Sequence, residues 1–261
     1  MKKTLIILSI LALIASGCGQ TAKKLTNEQI EKDLVESYKN ILSAGFDSDW
    51  EKLDAANNVF KEKLINYTSS YLSTLTYGFD SLKTMIDIAS SDDGLFRIYS
   101  WDTQQGGTMR DFENVFQYQF DGEVYAKASK TGDGIFNPFY SEIFTLKANE
   151  KTYYLAINND IWSSKDATQS VKVFTIENNG SLDDTVKLFK TKTQLLNEIN
   201  VGFDFFSVID RPERPVRLIK YDPKKKIVYI PIVYADGKVT DKYIVYQFTG
   251  QYLEHISTQK K

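Results

Sequence analysis

From residue 84 onward the chain is cut into short runs by turn-forming pairs, and this punctuation limits its fold more than anything else in the sequence. Asp93-Gly94, Gly106-Gly107, Asp121-Gly122, Asp133-Gly134, Asn149-Glu150, Asn179-Gly180, Asp222-Pro223, Asp236-Gly237 and Gly250 stand mostly 11–17 residues apart. Asp, Asn and Gly supply side-chain capping and positive φ where a chain must reverse. The runs between them, such as "LFRIYSW", "NVFQYQF", "KTYYLAIN" and "SVKVFTIE", alternate in polarity or are rich in β-branched and aromatic residues. Strand-like runs joined by such turns predict an antiparallel β-meander. Roughly a dozen strands are expected over residues 81–261, as a sandwich, a barrel or a propeller-like domain. No strict repeat selects the propeller.

Residues 26–80 read differently. "TNEQ" (26–29) has the form of a capping box, and Ile30, Leu34, Tyr38 and Ile41 follow on one helical stripe. Gly45 offers a stop. "SDWE" (48–51) repeats the capping pattern, with Leu53, Phe60, Leu64, Tyr67, Tyr71 and Leu75 behind it and Gly78 closing the run. The expectation is a helical hairpin ahead of the β domain, an α+β chain overall.

The N-terminus carries an address. Lys2 and Lys3 precede an apolar run over residues 5–14, broken only by Ser9. That run is too short to cross a ~30 Å hydrocarbon core as a helix, and small residues follow it, so residues 1–17 read as a secretory signal. Next stands Cys18, the only cysteine, which has no partner for an internal disulfide. "ASGC" (15–18) resembles the lipobox of bacterial lipoproteins, with Ala15 where Leu is usual. The resemblance covers the leader alone. It implies that Cys18 is lipidated and becomes the mature N-terminus, with residues 18–25 as a tether. Each buried acyl CH₂ contributes about 0.8 kcal/mol, and two or more chains hold a protein stably at a membrane. Gln20 two residues on, with no acidic cluster, resembles an outer-membrane destination facing the periplasm.

Composition narrows the partners. Without residues 1–17 the chain keeps 30 basic against 34 acidic side chains, a net charge near −4. Nucleic acid requires a concentrated basic face, so it is not an expected partner. His255, the only histidine, stands near the C-terminus, and the sole cysteine is assigned to lipid. Catalytic triads and imidazole or thiolate metal sites therefore lack their residues, and nothing asks for a cofactor or a metal. Glycosidase chemistry needs only two carboxylates in a cleft.

The stretch "SDDGLFRIYSWDTQQGGT" (91–108) has the look of a site. Turn chemistry accounts for Asp92, Asp93, Gly94, Gly106 and Gly107. Trp101 and Asp102 beside the two glycines remain as a close backbone approach or a ligand edge. Trp162, within the polar and loop-like "NNDIWSSKDATQ", is the aromatic best placed to face solvent and stack on a sugar. The sequence thus leads to a lipid-anchored cell-envelope protein with a non-enzymatic binding or assembly role, acting on an envelope protein or a glycan. The alternative is a carboxylate-dependent glycan hydrolase or carbohydrate-binding lipoprotein, for which two carboxylates beneath Trp101 or Trp162 are required.

Overall fold

The structure, a computed structural model, describes residues 24–130, 136–148 and 151–260. Cys18, the leader and the turns at Asp133-Gly134 and Asn149-Glu150 lie outside the described residues. Among the described residues no helix is long and apolar enough to cross a membrane.

Helix α1 (Asn27–Asp47) opens on the expected capping box: Thr26 Oγ1 accepts from the Gln29 amide, and Gln29 Oε1 accepts from the Thr26 amide. Its stripe of Ile30, Leu34, Tyr38 and Ile41 is buried. Gly45 does not stop it. The helix runs two residues further and is capped by Ser48 in the left-handed region at φ 54°, whose amide reaches the Ala44 and Gly45 carbonyls. Helix α2 (Trp50–Ser70) starts on Asp49, not Ser48: the Asp49 carboxylate accepts from the Lys52 amide. It ends at Ser70, where Tyr71 turns extended, and the last part of the expected stripe falls into a 3-10 turn, Leu72–Leu75. Asp33 of α1 bonds Lys63 and Tyr67 of α2, which fixes the two helices as an antiparallel pair.

The strands are β1 (Asp87–Ser90), β2 (Phe96–Asp102), β3 (Phe112–Phe120), β4 (Glu123–Ala128), β5 (Phe139–Ala148), β6 (Lys151–Ile161), β7 (Asp166–Ile176), β8 (Leu182–Asp183), β9 (Phe189–Lys190), β10 (Leu195–Leu196), β11 (Glu198–Asp204), β12 (Lys220–Asp222), β13 (Ile227–Val233), β14 (Val239–Phe248) and β15 (Leu253–Lys260). They form three sheets. The first runs β1-β2-β3-β4, the middle β11-β7-β6-β5 with β8 beside β7, and the third β10-β9-β15-β14-β13-β12. All pairings are antiparallel except that of β9 with β15. The tight turn at Asp121-Gly122 has both residues at positive φ, the hairpin geometry that an Asp-Gly pair favours.

The layers stack helices, first sheet, middle sheet, third sheet, and each contact is apolar. Tyr99, Trp101 and Val115 of the first sheet pack with Leu34, Phe60 and Leu64 of the helices. Its opposite face, with Phe96, Ile98 and Phe116, meets Tyr140, Tyr154, Ala156 and Phe174 of the middle sheet. The far face of the middle sheet, with Leu155, Ile157, Val171 and Val201, meets Val228, Ile230 and Leu253 of the third. Burying both faces explains why β2 is closed to solvent along most of its length and why its polar members are bonded internally. Arg97, for example, donates to the carbonyls of Thr74 and Tyr77 at 2.8 and 2.7 Å.

Candidate functional site in a cleft between two sheets

Side chains alternate along a strand, so one face of the middle sheet carries residues 154, 156, 158 and 160 of β6. Register places them in rows: Tyr154 with Phe174, Ala156 with Lys172 and Glu198, Asn158 with Ser170 and Asn200, Asp160 with Thr168 and Gly202. The first of these rows and Ala156 belong to the apolar contact with the first sheet. The later rows are polar. Here the face opens into a cleft of about 690 Å³, bounded by Asn114, Phe116 and Lys127 of the first sheet and by Tyr140, Asn158, Asp160 and Glu198 of the middle one, with Trp162 also lining it.

Asn158 is the centre of this cleft. Only 2 % of it is exposed. Its Nδ2 donates to Glu198 Oε1 at 2.9 Å, while its Oδ1 accepts nothing. A buried acceptor without a partner costs about 1–3 kcal/mol, a local penalty that Asn158 carries where it lines the cleft. Burial pushes the Asp160 carboxyl up to about 6, and the charge of Glu198 adds to the effect. Burial, then the charges of Glu198 and Asp184, hold the Tyr140 phenol well above its ordinary range. Burial alone would raise Asp184 as well, but Lys172, bonded to it at 2.9 Å, holds it below the usual carboxylate range. Lys127 donates to the Leu182 carbonyl at 3.0 Å. Two of the three lysines that line the cleft, Lys127 and Lys172, are therefore engaged by the protein itself, and Lys130 is the third.

Trp162 is 41 % exposed and its ring is fixed: Nε1 donates to Thr168 Oγ1 at 2.9 Å. The turn beneath it is tied by Ser163, whose hydroxyl accepts from the amides of Lys165 and Asp166 and donates to the Asp166 carboxylate. The segment read as a loop is in fact shorter, since β6 runs through Ile161 and β7 begins at Asp166.

The other two expected residues are elsewhere. Trp101 is wholly buried against the helices, its Nε1 donating to Asn57 Oδ1 at 3.1 Å, and it has no face for a ligand. Asp102 is held in its own loop, accepting from the Gln104 amide at 2.8 Å and from Arg110 at 2.9 Å. The close approach expected at the glycines is internal: a Cβ on Gly106 would lie 2.1 Å from the Met109 carbonyl oxygen. Asp93 caps its turn, accepting from Ser91 Oγ and the Leu95 amide, and accepts from Tyr154 at 3.2 Å. His255 lies in β15 against the ring of Tyr246. Among the described residues no group of three His, Cys, Asp or Glu is placed to hold a metal ion.

Asn158, Asp160, Glu198 and Tyr140 were not singled out by the sequence reading. The available signal was "INND", consecutive polar residues directly continuing an apolar strand. No protein-family model matches the chain, and no curated protein matches it either.

The raised Asp160 carboxyl has a consequence for stability. Between pH 4 and 6 the folded state binds a proton that the unfolded chain, with Asp near 3.9, has released, so stability falls as pH rises through that window. Glu198, Tyr140, Lys172 and Asp184 share the cleft and stay in place in Asp160→Asn. That variant should be more stable than the parent by about 1–2 kcal/mol at pH 7.5 and indistinguishable at pH 4. Urea midpoints at the two pH values check this; equal gains at both would show that burial does not govern the group.

Proposed function

We propose that this chain is a lipid-anchored cell-envelope protein that binds a carbohydrate in the cleft between its first and middle sheets. The observation that carries this is the pinned, partly exposed ring of Trp162 at a cleft also lined by the carboxylates of Asp160 and Glu198. A sugar presents many hydroxyl donors to such acceptors and an apolar ring face to an indole. An amino sugar adds a cation that the carboxylates of Asp160 and Glu198 favour. Anchoring rests on the resemblance of the leader to a lipobox. For an assembly role, the exposed place is the tip of the helical hairpin, where Phe46 is 91 % exposed and Trp50 stands close by.

One experiment tests cleft and anchor together. Full-length protein and its Trp162→Ala variant are screened against a glycan panel by thermal shift, beside Cys18→Ser. Trp162→Ala should lose the shift, with affinity down about tenfold or more, while its own melting temperature stays put. Cys18→Ser should leave the membrane fraction and still bind. A panel that moves neither protein would end the carbohydrate reading.

A second reading, hydrolysis, is favoured by one observation: burial raises the Asp160 carboxyl to about 6 in a cleft that Glu198 also lines. A raised carboxyl in a cleft that a second carboxylate also lines suits acid and base roles. Asp160 would give its proton to the leaving glycosidic oxygen as the C–O bond breaks. Glu198 would take a proton from the water whose hydroxyl joins the anomeric carbon. Shortened products from a bound glycan, lost in Asp160→Asn with binding kept, would select it over simple binding.

A further inference from the structure

The cleft does not end at Trp162. A second cavity of about 510 Å³ shares Trp162 and Thr168 with it and continues over Gly202 to Tyr234. The shared floor is the row of Asp160, Thr168 and Gly202 on the middle sheet. At Gly202 that floor has no side chain, and a Cβ there would meet nothing within 4 Å, so the passage between the two cavities is open. Tyr234, 58 % exposed, forms the far end. It stands in a tight turn closed by its amide to the Lys238 carbonyl at 3.0 Å and by the Gly237 amide to its own carbonyl at 2.9 Å. The turn is tied to the end of β11 by the Asp204 amide, which donates to the Gly237 carbonyl at 2.8 Å. Each ring therefore comes from a braced turn, and the floor that joins them has no side chain at Gly202.

The carboxylates of this second cavity are engaged within the protein. Asp204 accepts from the Phe206 amide at 2.9 Å and lies 3.7 Å from Lys165, and Asp236 accepts from the Lys238 amide at 3.0 Å. Beside these polar groups it offers a ligand the rings of Trp162 and Tyr234. Each of the two cavities is of the size that holds a small ligand, roughly 300–1,000 Å³. A compact molecule would use one and leave the other's surface wet.

We infer that the ligand is a linear oligosaccharide that runs from the Asn158 cleft past Trp162 into the trench at Tyr234. This rests on the carbohydrate reading above and adds the length and path of the chain. Contact beyond the cleft then depends on the rings and on the empty floor at Gly202. A monosaccharide or disaccharide uses the cleft alone.

Isothermal titration of the full-length protein with β-1,4-linked glucosamine oligomers, from dimer to hexamer, tests it. Affinity should rise at least tenfold from the dimer to the longest oligomers. Tyr234→Ala should remove most of that gain and leave dimer affinity within about twofold, and Gly202→Leu should likewise remove most of the gain with length. Gly202 lies in strand geometry without positive φ, so the leucine introduces no backbone strain, and melting temperatures confirm that both variants fold. Affinity flat from the dimer onward, or a gain with length that both variants retain, overturns the path while leaving the cleft as the binding site. No binding at any length by folded protein overturns the amino-sugar reading and the inference with it.

Discussion

Trp101→Ala should unfold this protein at a temperature on the order of 10 °C below the parent, with no specific effect on ligand. The indole fills the contact between α2 and the first sheet, with the Phe60 ring packed edge-on at 5.1 Å. Truncating a buried Trp to Ala costs about 3–5 kcal/mol, because the surroundings close only partly over the cavity. A second loss falls on Asn57. Its Oδ1 accepts from the Trp101 indole, and its Nδ2 donates to the carbonyls of Leu53 and Thr103, so one amide joins helix, strand and the loop after the strand. Without the indole that buried acceptor is stranded. Trp101→Phe should recover much of the packing and still lack this bond, landing between the two. Trp162→Ala should show the reverse pattern, with stability within about 0.5 kcal/mol and ligand lost. Thermal unfolding and glycan titration of the three variants decide the matter. A Trp101 variant of unchanged stability that no longer binds would return that residue to the site.

Why the sequence places Trp101 and Trp162 on equal terms is physical. Both follow strand-like runs and both precede polar residues. Burial separates them, and burial depends on which layer covers which face. The legible parts of the fold are those set by neighbours in the chain. The capping box at Thr26 closes within four residues, and Asp121-Gly122 needs only its own two dihedrals. Gly45 failed as a stop because Ser48 takes the left-handed cap three residues later, a choice made by where α2 must begin. The cleft is further from reach. Its acceptors come from β6 and β11, which are joined only through β7, and β11 itself is a modest pattern, "EINVGFD", that signals a strand weakly. Asn158 ends the strand-like run "KTYYLAIN", and Asn159 reads as loop because it and its neighbours are polar. In the sheet they point to opposite faces, Asn158 into the cleft with Glu198 and Asn159 to Ser141 and Gln169.

Gln169 should be the most sensitive polar residue in the β domain, and Gln169→Leu should cost about 3–5 kcal/mol. It lies on β7, facing away from the cleft, and is 1 % exposed. Its Nε2 donates to Asn159 Oδ1 at 2.8 Å and to the Val216 carbonyl at 2.6 Å. Its Oε1 accepts from the amides of Leu218 and Ile219 at 2.9 and 2.8 Å. One side chain thus satisfies three backbone groups in the segment that leads from the middle sheet into the third. Leucine matches the volume but leaves two amides and a carbonyl buried without partners, each costing about 1–3 kcal/mol. Those amides precede β12, so the loss should first appear as faster hydrogen exchange at Leu218 and Ile219, with exchange near Phe60 and Trp101 slowed as in the parent. Gln169→Glu separates charge from shape. It keeps the acceptor for the two amides, but turns an anion toward the Val216 carbonyl and Asn159 Oδ1, so it should lose stability steeply above the carboxylate range and recover as pH falls. Denaturant midpoints that match the parent for both variants, with unchanged exchange at Leu218, would show that the third sheet is held to the middle one by its apolar contacts alone.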